Sequence, residues 1–283
     1  MTRSARFYPI ILLAVALASD SGFGKDADAE RGDEETPAPS TPRLYVDVST
    51  TYTAIPANSF AIGFRNSFSL ANLNSLSAQS VAFSLPVTVD VSDRLSIYAG
   101  VNTYASRSEG YGWTSMVVDS WSAGFQAVAY EQKGGLFPSV TVQSTYTQSI
   151  SGVISARGTA SIVEFGYALN EDETKGLLAG VKYANIMIDS AVLNVGSSTI
   201  GYLGAYYQWP DNWKLTGRAG VQAFDGANLG SLLQVKPFTL PILRLDLDRM
   251  TDDDRVRFGL TAELAWAPKP TFQLTLRTPI TLR

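Results

Sequence analysis

The sequence contains no cysteine and no histidine. Without cysteine no disulfide can staple the fold, and a lipid on an N-terminal cysteine is excluded. Without histidine there is no Ser-His or Cys-His catalytic pair, and the commonest zinc ligand is missing. Charge is scarce too, at 17% of residues against roughly 25% in an average soluble domain. No internal segment reaches the run of about 20 apolar residues that a membrane helix needs, and the mean hydropathy of +0.03 is far too polar for a helical bundle. A chain poor in charge yet not continuously apolar fits a barrel that is apolar outside and polar inside, a balance that a soluble β-sandwich shares. The isoelectric point near 5.0 gives no overall attraction to nucleic acid. A length of 283 residues holds one large all-β domain or two ordinary ones.

The N-terminus reads as an address. Arg3 and Arg6 precede an apolar run from Phe7 to Ala18 that ends in Ala16-Leu17-Ala18, the pattern of a cleaved secretory signal peptide over residues 1–18. The run is too short to remain as a spanning helix. Residues 19–43 carry Asp26, Asp28, Glu30, Asp33, Glu34 and Glu35, then Pro37, Pro39 and Pro42, with almost no large apolar side chain. Such a stretch cannot bury enough surface to offset the entropy of ordering, so it is expected to be a disordered acidic, proline-rich linker. Residues 44–283 form the folded domain.

From Leu44 onward the apolar pattern has period two, which puts one apolar and one polar face on each strand. Val81, Phe83, Leu85, Val87, Val89 and Val91 share a face, as do Phe60, Ile62, Phe64, Phe68 and Leu70. Leu95, Ile97, Ala99 and Val101 oppose Tyr98, Gly100, Asn102 and Tyr104; Val256, Phe258, Leu260, Ala262, Leu264 and Trp266 oppose Arg257, Gly259, Thr261, Glu263 and Ala265. Phe272, Leu274, Leu276, Ile280 and Leu282 repeat the theme at the end. Several runs reach about ten residues, the length of a membrane strand rather than the five or six of a soluble one. Thirteen segments can be marked, near 44–53, 60–70, 78–90, 95–105, 113–130, 138–148, 160–169, 177–187, 199–208, 213–223, 235–247, 256–266 and 271–282. A single-chain bacterial barrel has an even number of strands. The expectation is therefore an all-β fold, a closed antiparallel up-and-down transmembrane barrel of about twelve strands, with ten or fourteen as alternatives. Compact charged turns such as Asn170–Lys175 and Pro210-Asp211-Asn212 alternate with longer Gly/Ser-rich stretches such as Ser106–Gly112 and Asp225–Ser231. That asymmetry is expected of periplasmic turns and extracellular loops. Trp113, Trp121, Trp209, Trp213 and Trp266 sit near strand ends, suited to interfacial girdles or to core packing.

Together the signal peptide, the alternation of turns and loops, and the closing amphipathic strand Thr271 to Arg283 resemble the bacterial outer-membrane β-barrel class. The resemblance is architectural and covers essentially the whole mature chain. It implies residence in the bacterial outer membrane, contact with its lipids, and insertion by the barrel-assembly machinery. One departure is the end itself, Leu282-Arg283, where the class usually finishes on an aromatic residue. Enzymes of this class resemble one another in using a histidine base, so the resemblance implies a barrel without enzymatic activity.

No catalytic residue, metal-ligand set or cofactor motif stands out. Asp252-Asp253-Asp254 offers carboxylates to a hard cation but reads first as a solvated hairpin turn. If the apolar face is outside, the inward positions include Arg65, Lys182, Arg218, Arg244, Arg257 and Arg277, set against Glu164, Asp246 and Glu263. These are the candidate pore-lining residues, because charge at a constriction selects among ions and small solutes. The leading expectation is a passive pore or small-solute transporter favouring anionic solutes. The alternative is a sealed structural or interaction barrel whose lumen is filled by pairs such as Arg244–Asp246.

Overall fold

The computed structural model describes residues 43–57, 77–132, 135–150, 155–190, 193–229, 234–252, 255–266 and 269–282. Twelve long strands form the wall: β1 (Arg43–Ile55), β2 (Ala78–Ser92), β3 (Leu95–Ser108), β4 (Val117–Tyr130), β5 (Ser139–Ser149), β6 (Ala156–Ala168), β7 (Lys175–Ile188), β9 (Ser198–Gln208), β10 (Trp213–Phe224), β13 (Phe238–Met250), β14 (Val256–Trp266) and β15 (Pro270–Leu282). Three short ones, β8 (Leu193–Val195), β11 (Ala227–Leu229) and β12 (Gln234–Val235), make a separate small sheet. Every wall strand pairs antiparallel with both neighbours, and β1 closes on β15 from Leu44↔Leu282 to Ala54↔Phe272. The order is that of an up-and-down barrel of twelve strands. Segment 60–70, read from its alternation as a thirteenth strand, lies outside the described residues, and the wall closes without it. Residues 1–42, which hold the expected signal peptide and most of the linker, also lie outside them.

The connections sort by end. β2 is followed by β3, β4 by β5, β6 by β7, β9 by β10 and β13 by β14 at the end where β1 begins and β15 finishes, the turn end. β1 leads to β2, β3 to β4, β5 to β6, β7 to β9, β10 to β13 and β14 to β15 at the other, the loop end, mostly over longer stretches of sequence. Two of these longer connections fold onto one another: β8 and β12 flank β11, the Gly196 amide donates to the Gly226 carbonyl at 2.7 Å, and the Ser197 hydroxyl donates to the Asp225 carboxylate. Single-residue bulges interrupt the ladder near strand ends, as at Arg257, which the register between Met250↔Val256 and Arg249↔Phe258 skips.

The alternation seen in the sequence becomes an outside and an inside. On β9 the pattern from Ser198 to Leu203 is alternately buried and exposed, and Leu203 is 71% exposed at mid-strand. Leu177, Val181, Val221, Leu243, Leu245 and Leu276 face outward in the same way and are exposed. Among the described residues, charge on this outer face stands near strand ends, at Arg107, Arg157, Lys175 and Arg249. Monomeric soluble proteins rarely expose a contiguous apolar patch beyond a few hundred Å², whereas hydrocarbon is the natural solvent for such a belt. Aromatic pairs mark its two margins. Trp121 and Tyr146 stack at 5.4 Å toward the loop end, and Tyr207 meets Trp209 edge-on at 5.3 Å toward the turn end. Tryptophan and tyrosine favour that depth because a flat apolar ring carries a polar tip.

The facing is testable. Leu203→Arg puts a charge in the middle of the outer belt and is expected to destabilise the barrel in lipid by about 2–4 kcal/mol, read as a lowered denaturant midpoint in vesicles. Thr145→Arg, on the inner face of β5, should cost clearly less, and equal costs would show the two faces to be misassigned.

Candidate functional site

The inner surface is organised first by size. Gly176, Gly180 and Gly204 lie on the inner faces of β7 and β9, and Gly124 on that of β4. A methyl group on Gly180 would overlap the Tyr202 hydroxyl, one on Gly176 the Tyr206 ring, and one on Gly124 the Tyr98 ring. Each tyrosine therefore lies over the groove left by a glycine on the next strand. Large side chains resting on small neighbours let a curved wall be lined without filling the lumen from every side. Tyr98 uses its position to donate to or accept from Thr145 Oγ1 at 2.6 Å and to accept from Gln143 Nε2 at 3.0 Å.

On the arc from β6 to β14 the inner face carries a compact network of charge. Arg218 Nε donates to Glu164 Oε2 at 3.1 Å, and its Nη1 donates to Asp246 Oδ2 at 2.7 Å. Arg244 Nη2 and Nε bind the same Asp246 carboxylate at 2.8–3.0 Å. The Tyr202 hydroxyl donates to Glu164 at 2.7 Å, and the Thr261 hydroxyl to Asp246 at 2.6 Å. Lys182 and Glu263, each 4% exposed, act on one another electrostatically. Three cations, Lys182, Arg218 and Arg244, are thus set among three anions, Glu164, Asp246 and Glu263. β10 and β6 are not neighbours, because β9 and β7 stand between them. The Arg218–Glu164 pair consequently spans a chord of the lumen.

Toward the loop end the same wall turns apolar. Ile200, Leu240 and Ile242 occupy inner positions of β9 and β13 and form a buried cluster with Tyr202 and Ala265. Gln222 is fully buried beside it, with its amide nitrogen donating to Ser198 Oγ at 2.8 Å and its oxygen without a hydrogen-bond partner. Toward the turn end a polar cavity of about 220 Å³ opens above the Arg218–Glu164 pair, walled by Ser139, Thr141, Thr216, Tyr206, Lys214 and Glu173 among others. The opposite arc, β1 to β5, is different again. Its inner face is neutral through the middle of the wall, with Thr51, Asn102, Gln143 and Thr145 half-buried and Gln126 exposed, and its acids, Asp47 and Asp90, stand at the turn end. Among the described residues no group of three or more possible metal ligands gathers.

The candidate residues named from the sequence distribute unevenly over this surface. Lys182, Glu164, Arg218, Arg244, Asp246 and Glu263 meet in the network. Arg277 lies apart, with its Nε 2.8 Å from Asp47 Oδ2 on the neighbouring β1. Arg257 is exposed at its bulge at the end of β14, and Arg65 lies outside the described residues. Sequence reasoning missed Tyr202, Thr261 and Lys214, and the inward Ile200 and Ile242. Strand alternation in the structure places all five on the inner face, but an apolar or hydroxyl side chain at one inner position carries no sign of its partner across the lumen.

No protein-family model matches the chain, and no curated protein does. Solved structures resemble it in fold. One is an outer-membrane channel from Pseudomonas putida F1, at 12% identity and TM-score 0.55 over 90% of this chain and 100% of that one. Another is the transport unit of the autotransporter AIDA-I from Escherichia coli, at 9% identity and TM-score 0.53 over 96% of this chain and 97% of that one. The fold is that of bacterial outer-membrane β-barrels.

Asp246 is the hub of the network, since Arg218, Arg244 and Thr261 all converge on it. Asp246→Asn leaves two guanidinium groups short of charge in a nearly dry setting and is expected to cost about 3–5 kcal/mol, measured as a lowered urea midpoint for unfolding of the barrel. An unchanged midpoint would mean that the network does not support the wall.

Proposed function

We propose that this protein is a passive pore of the bacterial outer membrane for small hydrophilic solutes, exported by residues 1–18 and inserted by the barrel-assembly machinery. The division of the inner surface is the observation that supports this most. On one arc, side chains reach across the lumen and bind one another. On the other, hydroxyl and amide groups remain half-exposed to it. A solute passing the β1 to β5 wall would exchange its water for neutral donors and acceptors. The Pseudomonas putida barrel is a channel, which supports the same role for a fold this similar. Twelve strands fall between the small barrels that side chains fill and the large ones that leave a wide channel, so a narrow pore is the expected width.

Selectivity follows from the balance of charge. Arg218 and Arg244 in isolation would favour anions, but Glu164, Asp246 and Glu263 hold them and Lys182 at no net charge. Arg277 is paired with Asp47. The anion preference expected from the inward arginines is therefore proposed to be small. Of the described arginine candidates, Arg257, exposed at the turn end, adds to it.

In planar bilayers the purified protein is expected to conduct in small steps, with a reversal potential close to zero in a potassium chloride gradient. Thr145→Trp should cut the conductance by narrowing the neutral side, whereas Arg257→Gln should leave it nearly unchanged. A well-folded barrel that never conducts would instead be the sealed structural form.

A further inference from the structure

The cavity at the turn end has a composition that narrows the solute. Its floor is the Arg218–Glu164 pair, and its mouth carries Lys214 and Glu173. Lys214 and Arg218 stand on β10 with Thr216 between them on the same inner face. The two acids come from the other side, Glu164 on β6 and Glu173 from the turn that follows it. Tyr206 lies between the charges at the mouth: Lys214 Nζ sits 4.4 Å from its ring centroid, and Glu173 acts electrostatically on its hydroxyl.

Glu173 is not there by the ordinary drift of a loop. Its φ of 52° is left-handed, an unusual conformation for a residue with a β-carbon. The turn that imposes it is braced by Asn170, whose carbonyl accepts from the Glu173 amide at 3.1 Å. The Asn170 side chain also binds Thr174 Oγ1 at 2.8 Å and the Lys175 amide at 3.1 Å. Non-glycine residues held in this region tend to persist where their surroundings over-determine them, often at ligand sites.

From this arrangement we infer that the turn-end cavity is a binding site for small zwitterions carrying both an ammonium and a carboxylate, of the size of an amino acid with a short side chain. This inference rests on the pore reading and names the solute class for it. The floor charges, Arg218 and Glu164, already bind one another, so the mouth decides. A simple anion there meets Glu173 and a simple cation meets Lys214, and each leaves one wall charge desolvated against its own sign, the kind of mismatch that discriminates among ligands. A solute with both charges answers both walls at once. The volume of about 220 Å³ corresponds to about seven waters of liquid and is below the roughly 300–1,000 Å³ of sites for larger ligands. Leu178 on β7 supplies an apolar surface for a short side chain.

Saturation-transfer NMR on the detergent-solubilised full-length protein tests the site, with serine as the zwitterion, erythritol as a neutral polyol, and acetate and methylammonium as single charges. Serine should receive saturation while the other three do not. Lys214→Gln and Glu173→Gln should each weaken serine binding about tenfold while leaving the folded gel mobility unchanged. Equal transfer to erythritol, or none to serine, would overturn the site, and so would unchanged serine binding in both variants. Swelling of vesicles containing the protein in isotonic serine and erythritol separates the two readings. Swelling in neither rejects the pore, whereas swelling in both without serine binding rejects the site alone.

Discussion

The whole molecule depends on the pairing of β1 with β15. An open sheet in hydrocarbon would expose a row of amides and carbonyls at each edge, each costing several kcal/mol without a partner. The continuous register from Leu44↔Leu282 to Ala54↔Phe272 removes both edges at once. The two strands are as far apart in sequence as any in the wall, so nothing local brings them together. Closure forces the strands to tilt and the sheet to curve, and the inner surface then has less room than the outer one. The glycines beneath Tyr98, Tyr202 and Tyr206 are a consequence of that curvature.

Closure also inverts the usual placement of apolar groups. Leucine and valine mostly point outward, as at Leu203 and Leu245, so inside the lumen the hydrophobic effect organises only the Ile200, Leu240 and Ile242 cluster at the loop end. Polar contacts organise the middle. Asp246 joins β13 to β10 and β14 through Arg218, Arg244 and Thr261, and Glu164 joins β6 to β9 and β10 through Tyr202 and Arg218. The Asp246 links tie neighbouring strands, whereas the Glu164 links cross strands that are not hydrogen-bonded neighbours, and together they brace one arc against itself. Such networks are worth most where water is scarce and every member is satisfied. The other arc is linked by neutral groups instead, with Tyr98 on β3 reaching past β4 to Thr145 and Gln143 on β5, and Asn102 donating to Ser120 on β4, so there the lumen is lined by half-exposed hydroxyl and amide groups without charge.

The mixture of filled and lined arcs explains why a strand count alone does not tell a sealed barrel from a narrow pore. Charge in the lumen is abundant, yet its sign is largely cancelled at short range. What reaches a passing solute is therefore the pattern of dipoles and paired ions, which favours molecules that are themselves polar and balanced over free ions of one sign.

Strand positions were legible in the sequence because side chains alternate faces along a strand and lipid demands an unbroken apolar face. The run from Val256 to Trp266 is the same in both descriptions, and alternation gives the facing of β3, of β15 and of β14 from Phe258 onward, whereas the bulge at Arg257 sets Val256 beside the inner Met250 rather than on the apolar face. The thirteenth segment, 60–70, shows the limit of that reasoning, since alternation reports a potential to form a strand and not a place in the wall. The inward positions of Lys182, Glu164, Arg218, Arg244, Asp246 and Glu263 were legible for the same reason as the strands. That Arg218 meets Glu164 across two intervening strands was not, because parity gives a face but neither a depth nor a partner. Periodicity is a property of neighbouring residues, and so the sequence determined the strands and, away from bulges, their faces. Distances across a lumen depend on shear, tilt and side-chain reach together, and so only the tertiary structure decided which charges cancel, which arc is braced, and where a polar cavity remains.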